Sequence, residues 1–443
     1  MREFSEFYID DTEKFRHKFI SWVNGFTEVC LLYSNDYQNR LAGQGSHYSY
    51  DLIAGAGSIN KISPKQTTDF ESLESFVGKS RDWIFGHLGY DLKNSIEALR
   101  SEHPDRIKFP LYNFFVPEFV FIMTGNTFKI GWHRHLSGTN SIANLVQEIK
   151  NHPIPVTGRI NAGNIRGVIS KSSYLRAVDK IKHHIQKGDI YEVNFCQEFY
   201  SDRAKIDPVV TWLQLIKESP TPFSCYYRLN NKYLLCASPE RFIRKTGSKI
   251  ISQPIKGTSA RGKTPREDRE AMKLLAGDPK ERAENIMITD LVRNDLSRIA
   301  CRGSVRVDEL CGIYPFPRVF QMQSDVSADI RPGTGFTDII KATFPMGSMT
   351  GAPKIKAMEI IEQYEKSKRG LYSGAVGYIS PEMDFDFNVV IRSIQYNQKT
   401  SGLSFMVGGA ITGQSIPENE YRECLLKAEA IMKVLGYNPV PAP

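Results

Sequence analysis

Glu281 and Glu284, and again Glu420 and Glu423, stand three apart in this 443-residue chain. On a helix, that spacing puts both carboxylates on one face. Lys427, four residues beyond Glu423, continues the second stripe. If the two faces meet, four carboxylates repel one another unless a hard divalent cation sits between them. Magnesium suits that place, because it takes oxygen ligands, keeps waters and completes its shell with substrate oxygens. The alternative is two solvated helix faces. Arg392 stands among apolar neighbours in FNVVIRSI (Phe387–Ile394) and needs an anionic partner there. That partner is a substrate carboxylate gripped by the guanidinium fork, or Asp384 or Asp386 in an internal salt bridge. GSMTGAPK (Gly347–Lys354) either offers backbone N–H groups to an anion or simply caps a helix. GGAITG (Gly408–Gly413) lets backbone approach a ligand, or turns a strand into the last helix. Lys256, in PIKGTSARG (Pro254–Gly262), reads as a strand-end lysine: a surface group, or one that burial drives toward nucleophilic reactivity.

The elements that must position these groups follow from periodicity. Lys280–Arg293 is predicted as a helix, with Asp278 as N-cap and Pro279 at its first position. Pro353 opens another, expected to reach Lys368 and stop at Gly370. The last helix, Glu418–Leu435, has its apolar stripe at Tyr421, Leu425, Ala428, Met432 and Leu435. Ser172–Lys187 is helical and ends at Gly188. Strands are predicted at Glu28–Tyr33, Trp83–Leu88, Phe119–Met123, Ile190–Phe199, Tyr233–Ala237, Lys249–Ile255, Tyr372–Ile379, Phe385–Tyr396 and Leu403–Ile411, with Ala54–Gly57 as a glycine-rich turn. The candidate linker is Asn151–Asn164, where Pro, Gly and Asn gather. Strands in hairpin order with helices between them predict an α+β fold with mainly antiparallel sheets.

Composition narrows the function classes. A 41% hydrophobic and 24% charged chain is ordinary for a globular enzyme, and no apolar run reaches the roughly 18 residues of a membrane span. The first residues, MREFSEFYID, lack the apolar core of a signal peptide, so a cytoplasmic location is expected. Seven scattered cysteines without a CxxC suit reduced thiols rather than a disulfide frame or a zinc site. The net charge of +8 is spread along the chain, so no basic block marks a nucleic-acid site. No GxGxxG occurs, which removes the dinucleotide cradle of that pattern.

Several long strings occur together: GDIYEVNFCQ (Gly188–Gln197), ASPERF (Ala237–Phe242), PIKGTSARG, ENIMITDLVRNDLSRIA (Glu284–Ala300), TFPMGSMTGAPKIKAMEII (Thr343–Ile361), YSGAVGYIS (Tyr372–Ser380), FNVVIRSI and PENEYRECLLKAEA (Pro417–Ala430). In this order they resemble the chorismate-utilising enzymes, the family of anthranilate, aminodeoxychorismate, isochorismate and salicylate synthases. The likeness covers residues 165–436, the catalytic region, and is weaker but present earlier, at FGHLGYDLK (Phe85–Lys93). It implies a single intertwined α+β body of two packed antiparallel sheets with helices outside, and residues 1–150 belong to that body.

The resemblance also implies roles. Glu284 and Glu423 match magnesium ligands, with Glu281 and Glu420 in support. Arg392 and Tyr372 match the residues that hold the enolpyruvyl carboxylate of chorismate, aided by backbone N–H groups near Gly408 and Gly409. Thr350 falls in the substrate-binding set, and Lys427 matches a lysine near the carboxylates and metal. Glu240 matches the acid that protonates the departing 4-hydroxyl. Lys256 marks the aminodeoxychorismate branch, since anthranilate synthases carry alanine there. In that branch the lysine adds to C2 as the hydroxyl leaves, then ammonia adds at C4 and expels it. The implied activity is magnesium-dependent amination of chorismate to 4-amino-4-deoxychorismate, for para-aminobenzoate and folate synthesis. The alternative is anthranilate synthase component I, in tryptophan synthesis. Water-using relatives carry lysine at the position of Glu192 and aminating ones commonly glutamine, so the role of Glu192 is open. LLYSND (Leu31–Asp36) stands where anthranilate synthases tend to carry LLES, which points away from tryptophan feedback. With no GxCxG cysteine elbow in the chain, ammonia is expected from a separate glutamine amidotransferase subunit in a heterodimer.

Overall fold

The computed structural model describes residues 2–35, 37, 50–64, 68–133, 139–155 and 160–437. Two sheets dominate, and their pairings are antiparallel. The first runs from the edge strand Arg2–Tyr8 through Thr127–His133, Phe119–Thr124, Leu52–Ala56 and Glu28–Tyr33 to Phe223–Leu229, then through Lys232–Ser238, Ser393–Asn397 and Gly402–Ile411 to Glu192–Ser201 and the short Gly351–Ala352. The second begins at Ile255–Ala260, passes Val319–Asp329, Lys249–Gln253, Arg241–Thr246, Phe385–Val389 and Ala375–Ile379, and ends on Ile84–Leu88, Tyr112–Val116 and Asn60–Ile62. Strands from early in the chain therefore sit in both sheets.

Successive side chains point to opposite faces and both faces of each sheet are largely apolar, so three large cores result among the described residues, beside a small one at Leu275, Cys311, Phe320 and Met322. Between the sheets lie Cys30, Phe85, Phe115, Tyr227, Leu234 and Val376. The outer face of the first sheet buries the helices Thr12–Val23, Lys171–Gln186, Pro208–Glu218 and Pro417–Leu435. The outer face of the second buries Phe70–Ser80, Pro279–Ser297 and Phe336–Thr343. This is the expected α+β body with helices outside.

Several elements differ from their sequence expectation. Leu52–Ala56 is a buried strand rather than a turn; a side chain at Gly55 would overlap the Phe85 ring of the facing sheet, with its Cβ 2.4 Å away. The strand predicted over Phe385–Tyr396 is two strands in different sheets, Phe385–Val389 and Ser393–Asn397. The chain crosses between them at Val390–Arg392, with Arg392 left-handed at φ 52°. The apolar phase shifts there, from odd positions up to Ile391 to Ile394 and Tyr396, a break that a single strand over Phe385–Tyr396 does not accommodate. Lys249–Ile255 also breaks, because Pro254 has no N–H to donate, and Lys256 lies inside a separate edge strand, Ile255–Ala260. The helix opened by Pro353 ends at Tyr364, since Glu365 turns extended and forms a buried ion pair with Arg369. A turn over residues 369–374 delays the next strand to Ala375. In the last helix Cys424, Ala428 and Ile431 are buried, while Tyr421 and Leu425 pack at the core's margin. Of the candidate linker, residues 156–159 lie outside the described residues; beyond them Asn161 bridges Lys205 and Arg166–Gly167 pairs with Phe199–Tyr200.

Candidate active site

The predicted site residues converge where the chain passes between the sheets. Glu240 sits on the passage from Lys232–Ser238 in the first sheet to Arg241–Thr246 in the second, and Arg392 sits on the return passage. The two passages are bonded together: Val389 N donates to Glu240 O at 3.0 Å, and Ala237 N donates to Arg392 O at 3.1 Å. Lys256, on the edge strand of the second sheet, reaches Glu192, at the start of a strand of the first; Nζ lies 2.8 Å from Oε1.

The helix Pro279–Ser297 starts where the sequence requires. The Asp278 carboxylate accepts from Lys280 N at 2.8 Å and Glu281 N at 3.1 Å, with Pro279 in the first turn. Its inward face carries Glu284, Asn285, Ile288 and Thr289. Asn285 is a residue the sequence reading missed. Its amide donates to Lys256 O and Met322 O, both at 3.2 Å, and so ties the helix bearing Glu284 to the strand bearing Lys256. An asparagine one residue after a candidate ligand, on the buried side of the same helix, was the signal available.

The helix Pro417–Leu435 brings Glu420, buried, and Glu423, half-buried, to the other side. Lys280 stands between the helices, its Nζ 3.8 Å from Glu284 Oε1 and 3.7 Å from Glu420 Oε1. Burial works against its charge, but Glu284, Glu420, Glu281 and Glu423 outweigh that and raise its pKa. Lys427 pairs with Glu423 at 2.6 Å and donates to Gly408 O at 3.2 Å. Among the described residues, no three His, Cys, Asp or Glu side chains are already gathered as a metal cage. The donor set nonetheless has the chemistry for a hard cation: carboxylates on two helices, with the buried Glu284 Oε1 lacking any hydrogen-bond partner. Gly409 leaves the wall open beside them, since a Cβ there would lie 3.2 Å from Lys427 Nζ and 3.5 Å from Glu423 Oε1. At Gly408 a Cβ would overlap Phe195 O at 2.1 Å.

The reacting end is drier. Glu240 is buried, and its Oε1 accepts from Ser348 Oγ at 2.5 Å. Burial pushes its pKa up to about 7, against the pull of Ser348 and Lys256. Burial likewise takes Glu284 up to about 7, with Lys256 opposing. A carboxyl near 7 holds a proton at neutral pH and can give it up, as a general acid must. Lys256 departs from the expectation drawn from burial alone. Desolvation lowers its pKa, but Glu192, Glu284 and Glu240 more than reverse this, and the lysine is held as an ammonium.

Arg392 makes no salt bridge among the described residues. Asp386 is taken by Arg241 at 2.9 Å and 3.0 Å, and Asp384 by Lys245 and Gly247 N, which removes the internal partners considered for it. One guanidinium N–H donates to Lys427 O at 3.0 Å. Tyr372 meets Cys196 Sγ at 3.7 Å. The Thr350 hydroxyl is spent within its own turn on Met346 O and Gly347 O, while its carbonyl accepts from Asn194 N at 2.8 Å. Beneath this end lies Arg369, which sequence reasoning also missed. It is fully buried, is bidentate to Glu365 at 2.7 Å and 3.0 Å, and donates to Met349 O and Asn194 O. Leu32, Tyr33 and Ser34 of LLYSND line a cavity with Tyr50, Phe223 and Asn388; Asp36 lies outside the described residues.

The family model described as chorismate binding enzyme matches residues 27–433. This chain belongs to that family. Aminodeoxychorismate synthase component 1 of Bacillus subtilis (strain 168) is 34% identical over 361 residues, covering 79% of this chain and 76% of the relative. Anthranilate synthase component 1 of Aquifex aeolicus (strain VF5) is 32% identical over 367 residues, covering 80% and 74%. Among solved structures, anthranilate synthase component I from Streptococcus pneumoniae TIGR4 superposes with a TM-score of 0.75 at 25% identity, over 85% of this chain and 91% of that one. The chain is thus a chorismate-utilising enzyme of the α+β fold described above, and no helix among the described residues is long and apolar enough to cross a membrane.

Proposed function

We propose that this chorismate binding enzyme is the aminating component of an aminodeoxychorismate synthase, converting chorismate and ammonia to 4-amino-4-deoxychorismate. The observation that carries the reading is Lys256: a buried primary amine in one chamber with the acid Glu240 and the carboxylates of two facing helices. An anthranilate-type reaction needs no lysine there. Arg392, which makes no salt bridge among the described residues, would hold the enolpyruvyl carboxylate, beside Tyr372. Glu240 would deliver its proton to the departing 4-hydroxyl while Lys256 adds at C2, and ammonia would then add at C4 and release the lysine. Glu284 and Glu423 would ligate magnesium, with Glu281 and Glu420 in support. When bound, the ion would balance the carboxylates and polarise the ring carboxylate of chorismate.

The name component 1, borne by the relatives, supports a second subunit as the source of ammonia, and a glutamine amidotransferase fits that place. The deciding experiment incubates the chain with chorismate and ammonium salt, with and without magnesium, and identifies the product. Aminodeoxychorismate is expected, with no glutamine-dependent turnover until an amidotransferase is added. Anthranilate as the main product would overturn the branch assignment.

A further inference from the structure

Glu192 has no agreed role by residue type, and its placement supplies one. Its side chain is fully buried, Oε1 accepts from Lys256 Nζ at 2.8 Å, and Oε2 is buried with no hydrogen-bond partner. No other side-chain acceptor among the described residues bonds that ammonium. Asn285 takes the Lys256 carbonyl, and Glu284 and Glu240 act on the charge only from a distance.

An ammonium has no lone pair, so it cannot attack carbon until something in contact removes a proton. Glu240 is unsuited to that task, since it is bonded to Ser348 and must itself be protonated to serve the leaving hydroxyl. We propose that Glu192 is the base that takes the proton of Lys256 before attack and returns it after release. This inference rests on the reading of Lys256 as the nucleophile.

The steps balance without any oxidant or reductant. The Glu192 carboxylate takes one ammonium proton, and the Lys256 lone pair forms a bond to C2. The two conjugated ring double bonds each shift one place, away from C2 and toward C4, and the C4–O bond breaks. The oxygen leaves as water with the proton of Glu240. Ammonia then forms the C4–N bond, both double bonds shift back, and the C2–Nζ bond breaks with its electron pair on Nζ. Glu192 returns its proton to the lysine, and the Glu240 carboxylate takes one from the new C4 ammonium. While it holds the proton, Glu192 is a neutral acid. Its second oxygen, facing no donor, leaves room for that change of state.

The test uses the full chain with chorismate, ammonium and magnesium, and follows the substrate-derived mass on the Lys256 peptide after rapid quench across about pH 6 to 10, approaching from below the lysine reference value of roughly 10.4. Glu192→Gln keeps the shape and loses the base. At neutral pH its adduct should form about a hundred-fold more slowly or worse, with chorismate KM changed only a few-fold. The deficit should shrink as pH rises toward the range where the lysine loses its proton unaided. Glu192→Ala should be rescued by formate in a concentration-dependent manner, which keeps the test alive if the glutamine variant fails to fold. A glutamine variant with the wild-type rate, or slowed equally at every pH, overturns the proposal, as does absence of formate rescue. If the unmodified protein forms neither adduct nor aminodeoxychorismate, the nucleophile reading itself fails, a result told apart because it needs no variant.

Discussion

The helices Pro279–Ser297 and Pro417–Leu435 carry the same device and bury opposite ends of it. Each opens on proline and carries Glu-x-x-Glu near its start. On the first, the later member, Glu284, goes inside while Glu281 stays half-buried; on the second, the earlier member, Glu420, goes inside and Glu423 stays half-buried. The electrostatics follow this inversion. Glu284 has an unpartnered oxygen and a pKa pushed up to about 7 by burial. Burial also works against the charge of Glu423, but Lys427, Lys280 and Lys256 outweigh it and its pKa falls. Equal spacing on a helix thus does not mean equal chemistry. The depth at which each helix packs decides which carboxylate faces the reacting end and which stays in touch with solvent.

The strongest challenge to this contrast is to remove the inner and outer ligands separately. Glu284→Ala should abolish ammonia-dependent turnover with the fold intact, and Glu423→Ala should do so too if both hold magnesium, because a hard cation loses a charged oxygen in each case. Turnover assays with circular dichroism check this. Full activity in excess chelator would sink the metal assignment, and an active Glu284→Ala beside an inactive Glu423→Ala would reverse the ranking.

Burial of the kind that sets Glu284 apart also governs Glu240. Glu240→Gln should lower kcat by about 10² to 10⁴ with little change in KM. It should also alter stability with a definite sign. The folded pKa of Glu240, about 7, lies above its ordinary value of 4.5, so the native state binds the extra proton and loses stability as pH rises between those values. The melting temperature of Glu240→Gln should therefore gain on the wild type as pH rises from 4.5 to 7, and hold its gain above that. A difference independent of pH would mean the carboxyl is not protonated in the fold.

Smaller effects sharpen the comparison. Glu281→Gln and Glu420→Gln should each weaken magnesium binding by about 10 to 100-fold, as supporting groups do, measured by titration calorimetry. Glu420 should be the more damaging, being the more buried; equal losses would say that depth does not matter here. Lys280→Met should cost about 1 kcal/mol in chelator and less in magnesium, because the partly exposed lysine stands between carboxylates that the ion would otherwise balance. Chemical denaturation under the two conditions gives that difference.

Much of this was legible in residue order. The Asp278-Pro279 start and the terminal helix come from capping and 3.6-residue periodicity, which are local properties, and the structure places both within one residue of their predicted starts. The family strings carried the fold class and the candidate site residues, including the lysine on which the proposed branch rests. Local pattern failed where the chain changes sheets. In FDFNVVIRSIQY the apolar positions move from Phe385, Phe387 and Val389 to Ile394 and Tyr396, but a shift of phase does not by itself say that Phe385–Val389 and Ser393–Asn397 belong to different sheets.

Those passages matter because Glu240 and Arg392 sit on them. Residue types alone left Arg392 with a choice between substrate and an internal acid. Tertiary structure removed the two internal acids considered, giving Asp386 to Arg241 and Asp384 to Lys245. The charge on Lys256 was undecided for the same reason. Desolvation and Coulomb forces have opposite signs at a buried lysine, and their balance depends on which carboxylates lie within a few ångströms. The sequence by itself determined which groups could act, through residue type and helical spacing. Only the packing of two sheets brought Glu192, distant in sequence, against Lys256. Distances between residues on different strands depend on how the sheets meet, and no local rule contains them.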